Sequence, residues 1–453
     1  MKKDLLHGSP IKVIISFALP ILFGNLFQQI YSMIDSIIVG KFVGVEALAG
    51  VGATSALNWF IIGFIVGTSN GFAIPIAQCF GAKDYSQMKR YYTNAMYIAV
   101  FISIVVTAMA LVFVDPILRL MQTPEDMYQY SKTYVQTIFM GVPGIFLYNY
   151  LASVLRGIGD SKTPLYFLVG ASILNIILDL ILVLVFQWGV FGTGFATVIS
   201  QTLAGILCMI LIIKKFDILK TSKEDWGFSW KHIKRLCYMG FPMGLQFSIT
   251  AIGGIILQSY VNTLGSAAVA AMTAATKVNI FACQGLEAIG LAMATFSSQN
   301  LGAGKISRIS QGVKQSILVG FVYTFCVFVT MLFASGHLAL LFVSKEETVI
   351  IKIISEFLQI NTFLYIFLGV LLVLRYTIQG LGYSMFAMLA GVTEMFSRML
   401  CGMFLVTNLG YMGAILSGPI AWLSACLFLI PAYFLVMKKI KGNYGLKEEN
   451  VVQ

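Results

Sequence analysis

The chain has 453 residues, 58% of them apolar and only 11% charged, with a formal net charge of +11. Soluble domains run at roughly 45–50% apolar and about 25% charged, so this composition cannot clothe a soluble globule of this size. Disordered and collagen-like readings fail on the same figures, and a polytopic membrane protein remains.

A helix needs about 20 mostly apolar residues to cross roughly 30 Å of hydrocarbon. Twelve stretches meet that requirement: 12–39, 48–78, 92–114, 134–154, 165–186, 192–213, 236–261, 267–299, 315–334, 355–377, 385–406 and 412–437. They are continuously apolar rather than alternating, which predicts an all-α chain rather than barrel strands. The basic start Met1-Lys2-Lys3 leads into a run too long for a signal-peptide core, with no small-residue cleavage site, so it reads as the first span.

Span one holds Pro20, which frees a backbone carbonyl and permits bending, and Asp35 in Tyr31-Ser-Met-Ile-Asp35. Span five holds Asn175 and Asp179, four residues apart and so on one helix face. Each acid inside a span costs at least about 2.5 kcal/mol on insertion scales, which makes it a functional hypothesis. A carboxylate beside a carboxamide oxygen can ligate a small cation, and two nearby carboxyls can carry a proton between them. The alternative for Asp35 and Asp179 is structural: each caps a broken helix or bonds a Ser or Thr hydroxyl. Span eight holds Lys277 and Gln284-Gly-Leu-Glu287. Glu287 either lines a substrate cavity or packs against a donor elsewhere in the chain. Span eleven holds Glu394 and Arg398, which at four residues apart form an internal ion pair that lets the helix insert. Candidate cavity residues are Glu287, Gln284, Gln246, Met243 and Tyr31, because Met, aromatic and polar side chains accept varied apolar and cationic guests.

Lys and Arg set the orientation. With the N-terminus in the cytoplasm, 23 of the 30 Lys and Arg fall on cytoplasmic segments, including seven between Lys214 and Arg235, and Arg375 before the last two spans. Five fall outside: Lys41, Arg119, Lys132, Lys345 and Lys352. Both termini are therefore expected in the cytoplasm. This bias accounts for the positive charge without a nucleic-acid partner, and the 214–235 run is expected to meet anionic headgroups.

A shift of about 221 residues overlays recurring features. Phe17-Ala-Leu-Pro20 falls on Met239-Gly-Phe-Pro242, and Gln78-Cys-Phe-Gly-Ala82 on Gln299-Asn-Leu-Gly-Ala303. Arg156-Gly-Ile-Gly159 falls on Gln379-Gly-Leu-Gly382, and Gly189-Val-Phe-Gly192 on Gly410-Tyr-Met-Gly413. Repeats six spans apart share one orientation, so the expected fold is two six-helix lobes related by a pseudo-two-fold axis along the membrane normal. The boundaries predicted are a first lobe 1–213, a basic cytoplasmic linker 214–235, a second lobe 236–437 and a cytoplasmic tail 438–453. The acids are not repeated: Asp35 falls on Ile256 and Asp179 on Leu400. Ion chemistry is expected in the first lobe alone.

The seven Cys form no C-x-x-C and the three His lie far apart, which gives no disulfide scaffold and no zinc or haem pattern. No H-E-x-x-H or P-loop occurs, since Gly304-Lys305 lacks the upstream Gly. The chain is therefore not expected to be an enzyme or to carry a cofactor.

The six-plus-six repeat, Pro20 and Asp35 on span one, Gly81-Ala-Lys83, Arg156-Gly-x-Gly-Asp160-x-x-Thr-Pro164 and Asn175-x-x-x-Asp179 together resemble the multidrug and toxic compound extrusion (MATE) transporters, in their bacterial first-lobe-acid branch. The resemblance implies a V-shaped pair of lobes around a central cavity, a monomer in the plasma membrane, and export of amphipathic, often cationic compounds by alternating access in exchange for protons or Na⁺. It places the cation-coupling site at Asp35, Asn175, Asp179 and Thr197, with Tyr134 joining by spacing and Pro20 as the bending point. The alternative function within the same superfamily is a flippase for a lipid-linked precursor, which Arg398 and Lys277 keep open.

Overall fold

The computed structural model describes residues 4–121 and 123–449, with side chains as far as Gly442. Lys2, Lys3, the Lys447 side chain and the end of the 438–453 tail lie outside the described residues. Among the described residues there is no β-strand. Ten helices are each long and apolar enough to cross a membrane, and two helix pairs bent by 50° and 48° bring the number to twelve.

These are α1 (Pro10–Ile38), α2 (Ser55–Gly81), α3 (Tyr85–Leu120), α4 (Glu125–Met140 with Val142–Gly157), α5 (Lys162–Leu180) and α6 (Gly189–Lys215). The second half follows as α7 (Trp230–Asn262), α8 (Ser266–Gly302), α9 (Ile306–Ala339), α10 (Thr348–Phe363 with Tyr365–Gly380), α11 (Ser384–Leu400) and α12 (Tyr411–Glu449). Each apolar stretch of the sequence falls on one of them. The bend in α4 follows from Pro143, which opens the second limb without an N–H to continue the first. Many helices outrun the bilayer: the 36 residues of α3 rise about 54 Å.

The chain packs as two compact units, and their limits differ from the sequence boundaries. The first unit holds Phe23–Gly244, and the second holds Leu5–Leu22 together with the chain from Leu245 onward. Both changeovers lie two residues after a helix proline, Pro20 in α1 and Pro242 in α7.

Hydrogen bonds account for both exchanges. The first backbone N–H groups of a helix have no partner within it. In the second unit Gln315 Oε1 on α9 accepts from the Ile11 N–H at the start of α1 (2.9 Å). Just upstream, Gln299 Oε1 accepts from Leu5 N–H at 3.1 Å, and Lys305 Nζ donates to the Leu6 carbonyl at 2.9 Å. In the first unit Asn94 Oδ1 on α3 accepts from the Ser229 N–H before α7 (2.9 Å). His232 Nε2 lies 2.8 Å from Gln87 Oε1, and Tyr97 donates to the Trp226 carbonyl at 2.8 Å. The 214–235 segment is thus fastened to α3. Its Phe216 and Leu219 enter the first unit's core, while Lys214, Lys220 and Lys231 remain exposed.

Within each unit the second helix of the repeat is deeply enclosed. The most apolar window is 72% buried in both α2 and α8, against 17% in α9. In the first unit α2 crosses the start of α7 so closely that a Cβ on Gly71 would lie 2.5 Å from the Gly240 Cα. Phe72 and Phe146 pack beside this crossing, and Tyr150 donates to the Tyr92 carbonyl at 2.6 Å. The second unit's core joins Ile14, Phe17 and Ile21 of α1 to Phe296, Tyr365 and Trp422. The repeat is legible in backbone angles too: Gly159 and Gly382 both have φ of +91°.

Candidate functional site

The first unit brings the predicted first-lobe residues together. Asp35 lies near the end of α1 and Asp179 near the end of α5, with their carboxyl groups close enough to interact electrostatically. Asp179 is 0% exposed and Asn175, one turn earlier, 2%. Asn175 Nδ2 donates to Thr197 Oγ1 on α6 at 3.3 Å. Tyr31, one turn before Asp35, and Tyr134 on the first limb of α4 lie within electrostatic reach of both acids. Both Asp179 oxygens, Asp35 Oδ1 and Asn175 Oδ1 are buried and accept no hydrogen bond from a protein donor. A structural capping role for Asp179 therefore finds no bonded partner.

Two neighbouring ionised carboxylates, Asp179 fully buried and Asp35 half-buried, would be heavily penalised without a donor or a cation. Their close placement is chemically satisfied by a shared proton or by a small hard cation. Carboxylate, carboxamide and hydroxyl oxygens form a donor set that fits Na⁺. Among the described residues no group of three His, Cys, Asp or Glu could hold a metal ion, so a cation here would depend on neutral oxygens as well.

Sequence reasoning missed two features of this site. Gln201 is buried on α6 and lies close to Tyr31. Its signal was available, since it stands four residues after Thr197 and so on the same face. The other is backbone. Just past Asp35 and Asp179, α1 and α5 change to π-helical turns over Val39–Val43 and Ile181–Val185. Such turns recur at functional sites, and no residue type announces them.

Arg156-Gly-x-Gly-Asp160 proves to be a helix start. Asp160 Oδ1 accepts from the Lys162 and Thr163 N–H groups, each at 3.0 Å, and Thr163 Oγ1 donates to Asp160 Oδ2 at 2.7 Å. Arg156 donates to Asn70 Oδ1 at 3.1 Å and to Ser153 Oγ at 2.8 Å. Pro20 is buried within α1.

The remaining candidates sit apart. Met243 is buried in the first unit against Ile74 and Met239. In the second unit Gln246 accepts from Gln379 Nε2 at 2.6 Å, Gln284 is buried, and Glu287 Oε2 accepts from the Tyr376 hydroxyl at 3.1 Å. Arg375, counted from the sequence as a cytoplasmic cation, requires correction. It lies in the second limb of α10, 5% exposed, and its guanidinium pairs with Glu394. Arg398 makes the expected contact with Glu394 at a longer 3.8 Å and donates to the Thr250 carbonyl at 3.2 Å. Lys277 is exposed on α8.

Comparison with known proteins agrees with this architecture. The MatE family model matches once in each half, over residues 20–181 and 242–407. The chain is 27% identical over 436 residues to the probable multidrug resistance protein YoeA of Bacillus subtilis (strain 168), covering 93% of each chain. It is 29% identical over 383 residues to the probable multidrug resistance protein YpnP of the same organism, covering 84% of each. A solved outward-facing conformation of a multidrug resistance MATE family transporter of the MOP superfamily superposes with a TM-score of 0.90 at 22% identity, over 96% of this chain and 98% of that one. That likeness shows the fold of twelve helices in two sets of six. With its family model matched across most of both halves, this multi-pass membrane protein belongs to the MatE family, the multidrug and toxic compound extrusion transporters.

Proposed function

We propose that the chain is a secondary antiporter that exports amphipathic, cationic compounds from the cytoplasm by alternating access, in exchange for protons or Na⁺ taken up at Asp35 and Asp179. The observation that carries this reading is the neighbouring pair of carboxyls, of which both Asp179 oxygens and Asp35 Oδ1 are buried without a protein donor. A small cation entering the site removes the repulsion between them and alters the packing of α1 against α5. Exchange requires that cation and drug disfavour each other's bound state, a reciprocal coupling of about 1–3 kcal/mol. Asn175 and Thr197 supply neutral oxygens, and Tyr31 and Tyr134 flank the acids. Pro20 allows α1 to bend as the charge changes.

In this reading Glu287 and Gln284 of α8 face the substrate and favour cations. The protein works as a monomer in the plasma membrane, and the distribution of Lys and Arg supports placing both termini in the cytoplasm. A flippase for a lipid-linked anion is not retained, because Arg398 is engaged by Glu394 and the Thr250 carbonyl. The test is dye efflux from proteoliposomes under separately imposed pH and Na⁺ gradients. Transport driven by one gradient and lost in Asp179→Asn is the expected result. Undiminished, gradient-dependent efflux by that variant overturns the proposal.

A further inference from the structure

We propose that Arg375 is a specificity-determining residue: held by Glu394, it leaves the negative charge of Glu287 free to select cationic substrates. The proposal rests on the reading of Glu287 as substrate-facing.

Arg375 and Tyr376 are neighbours on the second limb of α10, so their side chains leave the helix about 100° apart. Tyr376 reaches α8, where its hydroxyl donates to Glu287 Oε2 at 3.1 Å. Arg375 reaches α11, where it pairs with Glu394. The Arg375 charge is also within electrostatic reach of Glu287. One guanidinium is therefore paired with one carboxylate, Glu394, and lies within electrostatic reach of a second, Glu287, on a different helix.

The competition is uneven. Glu394 is 3% exposed and has a second cation in Arg398 at 3.8 Å. A carboxylate that deep needs its partners, since breaking a buried pair leaves an uncompensated charge. Glu287 is half-buried and receives its hydrogen bond from a neutral phenol. The Tyr376 ring is fixed by Gly290, where a Cβ would lie 2.4 Å from the ring. Arg375 Nε is buried and has no acceptor. The guanidinium thus keeps a donor that Glu287 could take if Glu394 released it. Glu394, which touches no substrate in this arrangement, would then govern charge selection at a distance by deciding which acid is neutralised.

The experiment measures binding of two dyes to the purified full-length protein: ethidium, a permanent cation, and uncharged N-phenyl-1-naphthylamine. Glu287→Gln is expected to weaken ethidium roughly tenfold and to leave the neutral dye unchanged, the pattern of a lost charge contact. Glu394→Gln is expected to give the same split, because Arg375 turns to Glu287. The double variant R375Q/E394Q, which removes the competing cation, should restore ethidium binding towards the original. Tyr376→Phe preserves ring volume and releases Glu287 towards Arg375, so ethidium alone should weaken by a smaller factor. It carries the test if Glu394→Gln does not fold.

An unchanged ethidium affinity in Glu287→Gln removes the substrate-facing reading itself. If Glu287→Gln weakens ethidium but Glu394→Gln does not, Glu287 stands and the role of Arg375 is overturned. That role is overturned equally if Glu394→Gln weakens both dyes alike, if the double variant fails to restore ethidium, or if Tyr376→Phe is without effect.

Discussion

The first unit places two carboxyls, half-buried Asp35 and fully buried Asp179, within electrostatic reach of each other and with no described basic side chain bonded to them. Across α8, the second limb of α10 and α11, the second buries or half-buries Glu287, Glu394, Arg375 and Arg398, whose formal charges sum to zero. Both units use the same six-helix plan, and in each the second helix of the repeat is equally enclosed. The positions matching the acids in the second unit are Ile256 and Leu400. The difference teaches that one fold supports two electrostatic designs. In the function proposed above, a site whose charge is incomplete is completed by an entering ion, and one that balances itself stays charged and shapes recognition instead.

The comparison is broken most severely at Asp179. Asp179→Asn should reduce gradient-driven dye efflux to the level of empty vesicles, whereas Leu400→Ala at the matching position should leave the response to the gradient intact. Proteoliposome efflux with each variant measures both, and equal losses would mean the halves share the coupling. The second unit's balance is tested next by thermal unfolding. Arg375→Gln should destabilise by about 3–5 kcal/mol by leaving Glu394 short of its main partner, and R375Q/E394Q should recover most of that loss. The shared scaffold is probed by Gly71→Ala, whose Cβ meets Gly240 at the α2–α7 crossing. About 1–3 kcal/mol of stability should be lost there by overpacking. The smallest effect belongs to Asp160→Ala, which removes the cap of α5 at a cost of about 1 kcal/mol. Asp160 has no counterpart in the second half, where Tyr383 holds the position. If this variant abolishes transport without loss of stability, Asp160 does more than cap.

Much of the candidate site was readable because charge in an apolar run is conspicuous. Asp35, Asp179 and the Asn175 spacing stood out against 58% apolar residues. Gln201 was less visible, because a neutral amide in a span carries little insertion penalty and draws no attention. The π-turns after the two acids had no signal, since Val39–Val43 and Ile181–Val185 are ordinary apolar segments by composition. Arg375 was misplaced because a charge near the end of an apolar stretch reads as a loop residue until its partner is known. Glu394 lies 19 positions away on another helix, and only packing brings it there.

Composition and periodicity by themselves determined that the chain spans a membrane, how many times, and that its halves repeat, because burying apolar surface and satisfying every backbone group in lipid leave few alternatives. Tertiary structure alone decided that the first turns of α1 and α7 pack with the other half of the chain, through the amide caps from Gln315 and Asn94. It also decided which acids meet each other and which meet arginine. Those choices depend on side chains distant in sequence arriving within a few ångströms, where a single hydrogen bond or ion pair outweighs any local preference.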